Sequence, residues 1–161
     1  VDFMLKYAKS DTEFEEISIK ELTENLFNNI YEAVFITEKI KPEIIFDKDL
    51  IINYNKKAIE DVLDNLISNS IKALKGKSDK KIRCSGMVNK NDFTLLFSDN
   101  GEGIDEQDKY RIFDIFFTTT AEDGGAGMGL YMAKTRIEAM GGEIEVIENE
   151  FKPTGATFKI I

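Results

Sequence analysis

The sequence has no histidine, no tryptophan, one cysteine and two prolines among its 161 residues. Without histidine there is no Ser-His-Asp or Cys-His catalysis, and the common zinc sites lose their usual ligand. A single cysteine, Cys84, rules out an internal disulfide and fits a reducing compartment. Its neighbours Ile82 and Met87 suggest a strand, so Cys84 is expected to be a small core or edge residue rather than a reactive thiol. The scarcity of proline, with 42% hydrophobic residues, argues against a long disordered region and provides for a sizeable core. No apolar run approaches the roughly 20 residues needed to span a bilayer, and no signal-peptide pattern is present. A cytoplasmic location is expected, with any membrane anchor of the parent protein lying elsewhere. Positive charge is also short. Lysine and arginine number 21 against 30 acidic residues, a net charge of −9, which argues against nucleic acid or an anionic membrane as main partner. A nucleotide can still bind, because local N–H groups and a metal outweigh net charge at such a site.

What is present fits one domain with a short appendage. The chain opens on Val1 and is expected to be a segment of something longer. Residues 1–9 read as the last turns of an amphipathic helix, and 10–16 as a polar, acidic linker. Ser18, with Glu21 three residues on, has the form of a capping box, and Leu22, Leu26, Phe27 and Ile30 give the helix after it an apolar face that ends near 31–34. Residues 43–46 and 50–54 read as a hairpin-like pair of short strands, and 80–88 with 92–98 as a second hairpin turning at 89–91. A short helix is expected over 105–112, another over 130–140 closed by Gly141-Gly142, and two final strands at 143–148 and 156–161 joined by a turn at 152–155.

The stretch 60–74, EDVLDNLISNSIKAL, organises the rest. With Ile59, its Val62, Leu63, Leu66, Ile67, Ile71 and Leu74 recur at helical spacing, and Gly76 follows as a stop. Asn65, Asn69 and Lys72 share one edge of that helix. Two amides and an ammonium suit a metal ion and phosphates, although a solvated helix edge would look the same. Downstream, Asp99-Asn100-Gly101-Glu102-Gly103 ends a strand, so a carboxylate stands at the strand mouth where it can accept from a ligand amine. Glycines there would let a flat ring approach the backbone. An ordinary turn with an exposed aspartate is the alternative. The run Gly125-Ala126-Gly127-Met128-Gly129 opens directly into a helix, an arrangement whose N–H groups attract phosphate. It is neither a P-loop nor the dinucleotide fingerprint.

Together these pieces resemble the ATP-binding catalytic domain of sensor histidine kinases, within the gyrase–Hsp90–histidine kinase–MutL superfamily with its Bergerat-type ATP fold. Asn65-Leu66-Ile67-Ser68-Asn69 resembles the family's asparagine motif and Asp99 to Gly103 its first glycine motif. Residues 113–117 resemble its phenylalanine motif, 125–130 its second glycine motif, and Gly155-Ala156-Thr157-Phe158 its short terminal glycine motif. The resemblance implies an α+β fold, a two-layer α/β sandwich whose mixed, mostly antiparallel sheet packs on about three helices, with ATP between the layers and a lid. It divides the chain at 15/16, into the tail of an upstream dimerisation helix and the catalytic domain.

Residue by residue, the resemblance implies that Asp99 receives the adenine amino group, beside Gly101, Gly103, Ile104 and Thr157. Asn69 would hold Mg²⁺ with Asn65 assisting, and Lys72 would meet phosphate. Gly125, Gly127, Met128, Gly129 and Leu130 would close on the phosphates, and Phe113, Phe117 and Thr118 would belong to a lid. Magnesium has independent support, since it prefers oxygen ligands and retains waters, so one amide oxygen plus a triphosphate suffices.

Position 65 separates two branches of the superfamily. Hydrolytic relatives resemble one another in carrying glutamate there, one turn before the metal asparagine. Asn65 cannot act as a general base. Asp64 is rotated about 100° on the helical wheel, and Asp61 lies two turns from Asn69. Slow hydrolysis and transfer to an external histidine are therefore expected, which makes the chain a protein histidine kinase domain unable to autophosphorylate alone. The histidine would sit on an upstream dimerisation domain of a homodimer, with a response-regulator receiver domain as further partner. Two departures stand out: Thr120 occupies a place where relatives often carry lysine, and no arginine follows soon after the phenylalanines, so the transferring phosphate has one fewer evident cation. Two rivals remain open, a free-standing ATPase or switch of the same fold, marked by steady turnover, and a degenerate interaction module, marked by failure to bind adenine nucleotides.

Overall fold

The structure is a computed structural model that describes residues 13–90, 93–115, 117, 129–151 and 155–160. The expected helix tail at 1–9 lies outside these residues. The chain forms β1 (Glu15–Ser18), α1 (Ile19–Asn25), a π-helical turn (Leu26–Ile30), α2 (Glu32–Glu38), β2 (Ile40–Phe46), β3 (Ile51–Tyr54) and α3 (Lys56–Ala73). There follow β4 (Lys80–Val88), β5 (Phe93–Asp99), two 3₁₀ turns (Glu106–Asp108 and Arg111–Phe113), α4 (Gly129–Ala139), β6 (Ile144–Ile147) and β7 (Ala156–Ile160).

Five strands make the main sheet in the order β2-β4-β5-β7-β6. Only β2 and β4 run parallel. The hairpin expected at 80–98 forms, with Val88 opposite Phe93, and β6 and β7 pair antiparallel. The hairpin expected from 43–46 and 50–54 does not form. β2 lies beside β4, while β3 pairs antiparallel with β1 in a separate two-stranded ribbon, Glu15 opposite Tyr54. The intervening turn is held by α1 instead. Asp49 accepts from the Ser18 hydroxyl at 2.5 Å and the Lys20 amide at 3.2 Å, and the Ile19 amide donates to the Leu50 carbonyl at 2.9 Å.

Ser18 caps α1 as expected, accepting from the Glu21 amide at 3.0 Å. Leu22, Leu26 and Phe27 are buried, but Ile30 is 61% exposed, contrary to the expected apolar face. The π turn is the reason. Its wider winding, with the Tyr31 amide donating five residues back to Leu26 at 2.8 Å, swings Ile30 off the buried stripe and ends the helix before α2 begins. The short helix expected over 105–112 is replaced by the two 3₁₀ turns.

α3 is capped by Asn55, whose side chain accepts from the Ala58 amide at 2.8 Å, and it stops before Gly76, at φ +81°. Its Ile59, Val62, Leu63, Leu66 and Ile67 are buried as their spacing predicts. They meet Ile82, Cys84, Leu95, Phe97 and Phe158 of the sheet, Leu22 and Phe27 of the first helical segment, and Ala133 and Ile137 of α4 in one core. This is the expected two-layer α+β sandwich. Cys84 is fully buried, and desolvation pushes its thiol up to about 12 even though a hydrogen bond to Thr23 works the other way.

Candidate functional site

The site is built where the C-terminal end of β5 meets the last turns of α3. Asp99, the last residue of β5, is 2% exposed. One carboxylate oxygen accepts from the Ser70 hydroxyl and the other from the Gly101 amide, each at 2.9 Å. Burying a charge in this way requires such donors. Ser70, the donor from α3, is not among the residues that the sequence motifs single out. It is fully buried on the apolar stripe of α3 between Leu66 and Leu74, so its signal was a hydroxyl where helical spacing calls for an apolar side chain.

The glycines around Asp99 serve close packing of the chain against itself. A Cβ on Gly101 would stand 2.6 Å from the Ala73 carbonyl oxygen, which also accepts from the Glu102 amide at 3.3 Å. Gly103, at φ +85°, rests on Gly155, and Gly155, at φ +138°, leaves no room for a Cβ beside the Asp99 carbonyl. Asn100 pins the turn to β4, accepting from the Lys81 amide at 2.7 Å and donating to the Asp79 carbonyl at 3.0 Å. Ile104 is half-buried beyond it. Thr157 stands opposite Ser98 in the β5–β7 register.

Asn65 and Asn69 are half-buried and Lys72 is exposed on α3. Gly129, the first residue of α4, approaches Asn65 closely enough that a Cβ there would lie 3.3 Å from the amide oxygen. The end of the glycine run is thereby brought to the asparagine motif. Among the described residues, no group of His, Cys, Asp and Glu side chains could hold a metal by itself. Amide oxygens on the α3 edge are the donors that suit a hard cation whose remaining ligands are phosphates and water.

The two acids of α3 nearest this edge have other partners. Asp61 pairs with Lys57 at 3.0 Å and with the buried Arg136 of α4 at 3.7 Å. Asp64 accepts a short hydrogen bond from the Tyr31 hydroxyl. Burial and then that bond raise Tyr31 above its ordinary value. Phe113 is in the core, its ring edge-on to Phe158 at 6.3 Å with the Lys134 ammonium 5.6 Å above it. Phe117 is half-buried under the Arg111 guanidinium at 4.9 Å, a cation that precedes the phenylalanines and that the sequence reading passed over. Leu130 packs half-buried against the core. Thr118, Gly125, Gly127 and Met128 lie outside the described residues.

A buried strand-end carboxylate, a pair of helix amides and a helix start at Gly129 beside Asn65 suit a nucleotide-binding domain of the Bergerat kind. The sequence profile of the histidine kinase-, DNA gyrase B-, and HSP90-like ATPases matches residues 54–161, and the chain belongs to that family. The catalytic domain of histidine kinase ThkA superposes with a TM-score of 0.81 at 28% identity, over 92% of this chain and 94% of that one. ThkA in complex with response regulator protein TrrA gives 0.78 at 25% identity, over 99% of this chain and 44% of that one. The sensor histidine kinase WalK of Bacillus subtilis is 35% identical over 120 residues, 71% of this chain and 19% of WalK. The autoinducer 1 sensor kinase/phosphatase LuxN of Vibrio campbellii is 30% identical over 148 residues, 90% of this chain and 17% of LuxN. The chain is thus an ATP-binding catalytic domain of the sensor histidine kinase type, spanning less than a fifth of the length of these two relatives.

Proposed function

We propose that this domain passes the γ-phosphate of Mg-ATP to a histidine on a helical dimerisation domain that lies upstream in the full protein. Asp99 receives the adenine amino group, Asn69 with Asn65 holds the magnesium, and Lys72 faces the phosphates. Magnesium, when bound, neutralises phosphate charge. The chain's own residues orient the nucleotide so that the incoming imidazole nitrogen forms a bond to the γ-phosphorus as the bond to the bridging oxygen breaks and ADP leaves. With no histidine of its own the isolated chain binds ATP without phosphorylating itself. TrrA bound to ThkA supports a receiver domain as the next acceptor.

The observation that carries this reading is Asp99, a 2%-exposed carboxylate fixed by two donors, one of them on the residue after Asn69. Slow hydrolysis follows from Asn65 together with the engagement of Asp61 by Lys57 and Arg136 and of Asp64 by Tyr31. Calorimetric titration with Mg-ATP tests the site. Asp99→Ala and Asn69→Ala should each weaken binding by about 10- to 100-fold, the equivalent of one charge-assisted contact. Unchanged affinity in Asp99→Ala would remove the adenine assignment.

A further inference from the structure

We infer that Ser70 sets the base selectivity of this site by fixing the Asp99 carboxylate as an acceptor for an exocyclic amine. The inference rests on the reading of Asp99 as the base-recognising residue. Three observations carry it. Ser70 is 0% exposed and Asp99 is 2% exposed, so neither side chain has bulk water to fall back on. The two donors reach different oxygens from different elements, the Ser70 hydroxyl from α3 to one and the Gly101 amide from the following turn to the other. Rotation of the carboxylate breaks both bonds at once. Finally, Ser70 directly follows Asn69, so consecutive residues of one helix turn serve the base through Asp99 and the phosphates through the asparagine edge.

The chemistry is a matter of donor and acceptor pattern. A carboxylate that already accepts on both oxygens has only further lone pairs to offer. A 6-amino purine presents hydrogens to them, and a 6-oxo purine presents a second acceptor, which leaves opposed lone pairs buried without a proton between them. Without the hydroxyl at position 70 the carboxylate loses its anchor on α3 and can turn away from the geometry that selects an amine. Ser70 is thus a positioning residue acting through Asp99.

The test compares ATP with inosine triphosphate, which carries a keto oxygen in place of the amino group, in calorimetric titrations of the whole chain. The unaltered protein should prefer ATP by on the order of 100-fold or more, because a site built for an amine rejects the analogue that lacks it. Ser70→Ala should lower that preference by about tenfold, the value of one buried hydrogen bond, chiefly through weaker ATP binding. Ser70→Thr, which keeps the hydroxyl, should retain the preference, and Ser70→Cys, a poor donor, should lose it; this pair carries the test if the alanine variant does not fold. A hydroxyl that only supports the fold would weaken both nucleotides by the same factor. An unchanged ratio in both Ser70→Ala and Ser70→Cys overturns the inference. Equal affinity of the unaltered protein for the two nucleotides, with Asp99→Ala altering neither, would overturn the reading of Asp99 itself.

Discussion

Gly155 shows how closely the backbone is packed around Asp99. Its backbone at φ +138° and its contact with the Asp99 carbonyl leave no place for a side chain. Gly155→Ala should therefore cost about 2–4 kcal/mol in urea unfolding, from left-handed strain plus main-chain displacement, and should weaken ATP binding in the folded fraction by moving Asp99. Cys84 makes a different residue-scale prediction. Its thiol is raised by burial to about 12, so the neutral form is favoured in the folded state. That contribution is fully present below the ordinary thiol value near 9 and is lost as pH climbs from there toward 12. A thiol reagent at pH 8 should label Cys84 only as fast as the domain unfolds; rapid labelling would contradict its burial. Asp99, Asn65 and Asn69 stand out in the sequence because each is a polar residue at a special place in a pattern. Ser70 was harder to see, because its partner is 29 residues away and only the folded chain brings them together.

At the scale of elements, α3 is joined to α4 by Asp61 and Arg136 and to the first helical segment by Asp64 and Tyr31. Asp61 is 19% exposed and lies 3.7 Å from Arg136, so the pair is screened in part. Asp61→Leu should destabilise the domain by about 1 kcal/mol, and the loss in the double change Asp61→Leu with Arg136→Leu should fall short of the sum of the two single losses. Additive losses in this double-mutant cycle would show that the pair contributes nothing as a pair. The helices α3 and α4 and the later hairpin were legible because each is a local pattern, periodic or alternating, the helices with stop signals at Gly76 and Gly141, whereas α2 (Glu32–Glu38) was not expected. The misread hairpin has its cause in competition from distant partners. Two adjacent strands separated by a three-residue turn resemble a hairpin, but Ser18 and Ile19 capture the turn, β1 takes β3, and β2 finds β4. The π turn that exposes Ile30 leaves no trace in an apolar spacing that would suit an unbroken helix.

At the scale of the whole molecule, the sheet and helices form one core, and the site we propose for the nucleotide draws on both layers, Asp99 from the sheet and Ser70, Asn69 and Asn65 from α3. A ligand spanning such a junction binds the folded state alone, so occupancy must appear as stability. At a free ATP concentration about 100 times the dissociation constant the gain is about 2.7 kcal/mol. For a domain of this size that raises the melting temperature by roughly 5–10 °C. Mg-ATP should produce this shift in the unaltered chain, and Asp99→Ala, binding about 10- to 100-fold more weakly, should cut it to roughly half or less at the same concentration. The shift should also persist through a long incubation, because α3 carries Asn65, which cannot take a proton from water, and its Asp61 and Asp64 are engaged by Arg136 and Tyr31. ADP accumulating in step with incubation time, at more than one equivalent of the chain within minutes, would place the domain with the hydrolytic branch instead. Supplying a separate helical domain that bears the acceptor histidine should convert the stable complex into ADP and a phosphorylated partner, with the label on that partner and none on this chain.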